Sequence, residues 1–200
     1  MQKILVAYAT LAGSTADVAK AIGEEIARSD MQVDVLPLAR VDAIDSYDGV
    51  VLGGPMIMGW HRDALGFIKK HRKALRRIPL AVFVTAMSLT QTGETSVNGV
   101  PVYVDEKLPK PPQKEGHLNF RERYARISNY ARPILGAARP VRPLSIAFFG
   151  GRLEYGRLKW WAVLFAMVII QAPAGNRLNW PAIRAWGAGI PVAFQQADSI

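Results

Sequence analysis

The first 28 residues constrain this chain's fold more than any other stretch. Lys3 to Ala9 is almost continuously apolar, as expected of a parallel strand covered on both faces. Small and hydroxyl residues follow, Thr10-Leu11-Ala12-Gly13-Ser14-Thr15. Ser14 to Arg28 then reads as a helix, with Val18, Ile22 and Ile26 recurring every four residues as its buried stripe. Ser14 or Thr15 is expected to cap it, and Asp17 falls near the positive end of its dipole.

The same alternation continues. Gln32–Leu36, Gly49–Gly53, Leu80–Ala86 and Leu144–Phe149 read as strands. Asp63–Arg77, Phe120–Leu135, Tyr155–Gln171 and Trp180–Trp186 read as helices. Alternating strands and helices build a parallel sheet with helices on both faces, with right-handed crossovers. The expectation is a single α/β domain over residues 1–200: a doubly wound, five-stranded parallel sheet of order 2-1-3-4-5. Residues 87–116 interrupt the pattern. They are polar and rich in glycine and proline, and form a long insertion after the fourth strand, with a short edge hairpin expected at Val100–Val104. A structureless connection of this length is more often functional than idle.

In such sheets ligands sit at the carboxyl ends of the strands. That directs attention to the turns after residues 9, 53, 86 and 149. The first turn is a candidate phosphate cradle. A helix N-terminus presents free backbone N–H groups to an anion, Thr10, Ser14 and Thr15 add hydroxyls, and Gly13 permits a sharp turn. The loop holds no Lys or Arg, which argues against a Walker-type nucleotide site, and no Gly-x-Gly-x-x-Gly follows any strand. With no cysteine in the chain, a disulfide framework, a thiolate nucleophile and cysteine-ligated metal are excluded. No paired carboxylates, Ser–His–Asp arrangement or metal-ligand cluster is evident. The three histidines, His61, His71 and His117, are scattered.

Four segments together carry a family resemblance. Tyr8-Ala9-Thr10-Leu11-Ala12-Gly13-Ser14-Thr15 resembles the flavodoxin signature Thr-x-Thr-Gly-x-Thr. Val50-Val51-Leu52-Gly53-Gly54-Pro55, with Gly59-Trp60-His61, is similar to the second flavin loop of that family. Phe148-Phe149-Gly150-Gly151-Arg152-Leu153-Glu154-Tyr155-Gly156-Arg157-Leu158 and Asn179-Trp180-Pro181-Ala182-Ile183-Arg184-Ala185-Trp186 resemble one flavodoxin-like branch in particular. That branch includes the menaquinone-dependent protoporphyrinogen oxidase of bacterial haem synthesis. The likeness spans nearly the whole chain outside residues 87–140. It implies a flavodoxin-like fold and FMN as cofactor. One departure stands out: Ala12 occupies a position where the signature usually has a polar side chain. One neutral phosphate hydrogen bond, worth ~0.5–1.5 kcal/mol, is thereby lost.

The resemblance implies a set of cofactor-binding residues. The phosphate falls to Thr10, Leu11, Ala12, Gly13, Ser14 and Thr15. The ring falls between two loops, Pro55-Met56-Ile57-Met58-Gly59-Trp60 and Met87-Ser88-Leu89-Thr90, with Gly150, Gly151 and Arg152 closing the site. Trp60 is expected either to stack on the flavin, with Met56 and Met58 beside it, or to pack on its own helix. His61 reads either as a proton donor near the ring or as a helix cap. No catalytic residue is assigned; redox chemistry belongs to the flavin.

Charge is spread unevenly. Residues 1–60 hold four Lys/Arg against eight Asp/Glu, whereas residues 61–200 hold 21 against eight, which together give the net charge of +9. Seven basic residues face one acid, Asp63, over residues 62–77, and eight face two glutamates over 110–142. The ordinary explanation is a solvated basic face. Two functional ones compete with it: a site for the acidic groups of a porphyrin, and an anionic membrane surface, at about 1 kcal/mol per cation. Residues Lys159–Ile170 are apolar all round, which fits burial, a homodimer contact, or contact with membrane or quinone. This run is too short to span a bilayer, and the N-terminus lacks a signal-peptide pattern. A cytoplasmic protein, peripheral on the inner face of the membrane, is expected.

Three functions are weighed. The first is an FMN-dependent oxidoreductase of the protoporphyrinogen oxidase type, passing electrons from a reduced organic substrate to a quinone. The second is a flavodoxin-type electron carrier, disfavoured because such carriers are usually strongly acidic. The third is a nucleic-acid binder, for which no motif or interleaved aromatic platform is present.

Overall fold

The computed structural model describes residues 1–11, 13–57, 59–114, 116–153 and 175–197. The predicted helix Tyr155–Gln171, with the apolar run Lys159–Ile170, lies outside the described residues, as do Ala12 and Met58.

In chain order the strands are β1 (Lys3–Tyr8), β2 (Gln32–Pro37), β3 (Gly49–Pro55), β4 (Leu80–Ala86), β5 (Leu89–Thr90), β6 (Ser96–Val97), β7 (Val100–Val104), β8 (Pro109–Lys110), β9 (Ser145–Gly150), β10 (Arg152–Leu153) and β11 (Gly175–Asn176). The helices are α1 (Ser14–Ala27), α2 (Arg62–Lys70), α3 (Phe120–Tyr124), α4 (Ile127–Ala138) and α5 (Trp180–Ala197). The main sheet runs β2-β1-β3-β4-β9-β7-β6. Its first five members are parallel and are the five strands in the expected 2-1-3-4-5 order. The insertion adds two more: β7 pairs parallel with β9, and β6 turns back antiparallel on β7.

Side-chain alternation along the strands splits the core into two layers. On one face Leu5, Val50, Leu52, Val82, Val84, Ile146 and Phe148 meet Phe67 and Ile68 of α2 and Ile127, Ala131 and Ile134 of α4. On the other, Ile4, Val6, Val51, Phe83, Ala147 and Phe149 meet Val18, Ile22 and Ile26 of α1 and Ile183, Trp186, Ile190 and Phe194 of α5. The stripe predicted for α1 is thus its buried face.

Three elements differ from expectation, each for a tertiary reason. Asp63–Arg77 is not one helix. It stops after Lys70, where the His71 ring packs on Phe67 with centroids 4.5 Å apart, and a separate 3-10 turn at Ala74–Arg76 delivers Leu75 to the core. Phe120–Leu135 is broken at Ala125, whose carbonyl accepts the Thr90 N–H and is spent on the insertion. The last helix continues to Ala197, past Gly187, Gly189 and Pro191. Gly187 is a contact rather than a stop: a Cβ there would lie 3.2 Å from the Ile22 Cα of α1.

Candidate functional site

The carboxyl ends of four parallel strands meet in one rim because each hands a backbone bond to its neighbour. Ala9 N–H donates to Gly53 O, Met56 N–H to Thr85 O, and Gly151 N–H to Ala86 O, at 2.9, 2.8 and 2.9 Å. Above this rim lies a cleft lined by Leu11, Ser14, Thr15, Pro55, Met56, Ile57, Thr85, Ala86, Met87, Gly151 and Arg152. Nine of these eleven are among the expected cofactor-binding residues; Thr85 and Ala86 are additions. They follow once the site is placed at strand ends, because the last residues of β4 form its floor.

The first loop has the geometry of an anion cradle, with one change from expectation. Neither Ser14 nor Thr15 caps α1. Gly13 is the N-cap, at φ 91°, and no side chain bonds the helix's first amides. Only glycine adopts that backbone without strain. The N–H groups of Ala16 and Asp17 turn back to the Gly13 carbonyl at 3.0 and 3.2 Å, which leaves those of Ser14 and Thr15 to face an anion. Gly13's own N–H is committed to Thr10 Oγ1 at 3.0 Å. That leaves the Thr10 proton available to a ligand oxygen. Thr15 is only 1% exposed, and its hydroxyl lies 2.9 Å from that of Thr85. It joins the cradle to β4.

Arg152 supplies what the loop itself lacks, a positive charge. Its guanidinium donates to Asp17 Oδ2 at 3.0 Å, bringing a residue 135 positions away onto the first turn of α1.

The ring loops divide differently from expectation. Met56, Ile57 and Met87 offer an apolar, polarisable lining. Trp60 does not. It is 3% exposed, its Nε1–H donates to Gly54 O at 3.1 Å, and a Cβ on Gly54 would sit 2.9 Å from that nitrogen. It is a core residue held by its own loop, whereas the expectation was of stacking on the flavin or packing on its own helix. Leu89 and Thr90 are buried in the small β5–β8 sheet rather than facing the cleft. Ser88 engages the Tyr130 hydroxyl, which burial pushes up to about 12. Gly150 has the Arg177 carbonyl where a Cβ would go, so its lack of a side chain serves the chain's own packing. His61 is the N-cap of α2, its Nδ1 accepting the Asp63 N–H. No group of three or more metal-ligating side chains occurs among the described residues. No helix among them is long and apolar enough to cross a membrane.

The aromatic at the ring loop comes from α3, just after the insertion, instead. Tyr124 of α3 is 39% exposed, and its hydroxyl meets the Gly59 backbone. The insertion is folded, with β5 paired to β8 and β6–β7 added to the main sheet, and α3 follows it. Asn119 and Glu122 form a capping box at α3, Glu122 also accepts the Gln113 N–H, and Thr90 Oγ1–H donates to the Glu122 carbonyl. Sequence periodicity has no means of pointing to Tyr124, because the contact with Gly59 depends on how residues 87–126 fold.

FMN fits these residues on three observations: uncapped amides behind a positive-φ glycine, a guanidinium beside them, and an apolar lining next door. The match to a known family agrees. The flavodoxin domain family's sequence model matches residues 5–130. No curated protein matches the chain. Among solved structures, rubredoxin oxygen:oxidoreductase from Desulfovibrio gigas superposes with a TM-score of 0.50 at 10% identity, over 98% of this chain and 37% of that one. Fusobacterium nucleatum flavodoxin bound to flavin mononucleotide gives 0.46 at 14% identity, over 97% and 99%. Oxidised flavodoxin 1 from Bacillus cereus gives 0.41 at 15%, over 86% and 99%. The chain belongs to the flavodoxin domain family, and FMN is its cofactor.

Proposed function

We propose that this protein is an FMN-dependent oxidoreductase of the protoporphyrinogen oxidase type, taking electrons from a reduced, anionic organic substrate and passing them to a quinone. The observation that carries this reading is the contact between Tyr124 of α3, just after the insertion, and Gly59 of the ring loop. It sets a folded wall beside the flavin site, where a simple carrier needs only an open ring edge. The wall has the chemistry of a planar acid's partner. Phe120 is 75% exposed and Tyr124 partly so, and Lys110, Lys114, Arg121 and Arg123 of the same stretch of chain are exposed. Aromatic faces favour flat rings, and cations favour carboxylates. The branch-specific resemblance at residues 148–158 and 179–186 supports the porphyrinogen and quinone assignments.

Bound FMN would supply the hydride and electron chemistry. The chain's own residues hold the phosphate at Thr10, Ser14 and Arg152 and keep water from one side of the ring with Met56, Ile57 and Met87. None of the described histidines stands at the cleft. The substrate's proton is therefore expected to leave to solvent.

The test is anaerobic mixing of FMN-loaded protein with protoporphyrinogen, followed by a menaquinone analogue. Flavin bleaching, porphyrin fluorescence and reoxidation by the quinone are expected. Reversible one-electron exchange with a redox protein, without porphyrin formation, would assign the protein to the carriers instead.

A further inference from the structure

We propose that Arg152 is a charged ligand of the cofactor's phosphate, so that this flavodoxin-type cradle selects FMN over riboflavin by an ion pair as well as by backbone amides. The inference rests on FMN being the cofactor and goes beyond it by naming a cation that the first loop does not contain.

Three observations place the side chain. Residue 151 is pinned to the cleft floor by its N–H bond to Ala86 O, and a Cβ there would lie 3.8 Å from Ser14 Oγ. The next residue therefore begins at the mouth of the cradle. Arg152 lines the same cleft as Leu11, Ser14 and Thr15. Its guanidinium is then held over the first turn of α1 by Asp17.

Helix electrostatics make this placement informative. The N-terminal turn of a helix carries positive partial charge and disfavours a cation by itself. Asp17 offsets that charge while the site is empty; a phosphate monoester, at about −1.5 to −2 near pH 7, would draw on the guanidinium and the helix amides together, which carry about +1.5 between them. The planar guanidinium matches phosphate oxygens in geometry. It also answers the missing polar side chain at Ala12. A partly exposed Asp17–Arg152 pair serving stability alone contributes little. That reading gives no reason for the arginine to line the cleft.

The experiment is a fluorescence titration of the apoprotein with FMN and with riboflavin, in wild type, Arg152→Ala and Arg152→Lys, at low and high salt. Circular dichroism and thermal melting check the fold of each variant. Arg152→Ala is expected to weaken FMN binding roughly ten- to a hundredfold, the loss of one charge-assisted contact. Riboflavin binding should stay within about twofold, the range left when the phosphate contact is absent in both proteins. Arg152→Lys should recover part of the loss, and wild-type FMN affinity should fall with salt more steeply than that of the alanine variant. Unchanged FMN affinity in Arg152→Ala, or equal losses for FMN and riboflavin, would overturn the proposal and leave FMN binding intact. Wild-type protein that binds neither flavin would overturn it together with the functional reading above.

Discussion

The side-chain hydroxyls of Thr15 and Thr85 lie 2.9 Å apart beneath the cleft, both residues almost fully buried. The bond spans 70 positions and ties the start of α1 to the end of β4. Thr15→Val leaves the Thr85 hydroxyl buried without its partner. It is expected to cost about 1–3 kcal/mol, whereas the double Thr15→Val/Thr85→Val variant should cost distinctly less. Urea denaturation of the four-member cycle measures the difference.

Trp60 is a core residue whose indole N–H satisfies the Gly54 carbonyl. Trp60→Phe removes that bond and opens space under the ring loop, a loss of about 1–3 kcal/mol in stability. FMN affinity should move by no more than about twofold, since the ring does not face the cleft. A far larger loss of affinity with little loss of stability would put the tryptophan on the flavin.

His71 stacks on Phe67 and is 8% exposed. Burial, and then Lys70, depress its pKa below 6.5, with Asp45 opposing. The unfolded chain therefore takes up a proton that the folded one resists. Stability is expected to fall as pH drops below 6.5 toward the lower folded value. His71→Phe should flatten that part of the profile, as read by melting temperature between pH 7.5 and 5.

Asp105 is 1% exposed, and its Oδ1 accepts from Asn179 Nδ2 at 2.7 Å and from the Lys107 N–H at 3.0 Å. This pair fastens the end of β7 to the entry of α5. Asn179→Ala leaves a buried carboxylate short of a donor and should cost about 2–3 kcal/mol. Hydrogen exchange should show faster loss of protection in β6–β7 than in β1 or β3.

Lys69, Lys70, Lys73, Arg76 and Arg77 are all exposed on and just after α2. We expect the protein to sediment with anionic vesicles at low salt and to be released at high salt. Each of these cations changed to alanine should lower the partition coefficient about fivefold, equivalent to ~1 kcal/mol. Equal binding to neutral vesicles would point to an apolar contact instead.

Much of the fold is legible in the residues themselves. The strands from Lys3 and Leu80 and the stripe Val18, Ile22, Ile26 announce buried elements, because side-chain periodicity reports burial wherever one face meets a core. The same signal misplaces helix ends. Ile68 and Leu75 sit one heptad apart and both reach the core, yet a turn at His71 separates them. Ala125 breaks a helix because of Thr90, a partner 35 positions away. The site divides in the same way. Gly13, Ser14 and Met56 are readable from local chemistry. Trp60 is not, since its aromatic face serves a core as well as a flavin.

The sequence by itself determined the parallel α/β architecture, the glycine turn that leads from β1 into α1 and the excess of positive charge after residue 60. Those properties are local: apolar periodicity, a glycine before a helix, a count of charges. Only the tertiary structure decided that the cradle gains a guanidinium from Arg152, that Tyr124 borders the ring loop, and that residues 96–104 extend the sheet to seven strands. Each depends on long-range contacts, which form when the chain ends of distant strands are brought to one rim and which no spacing along the chain encodes.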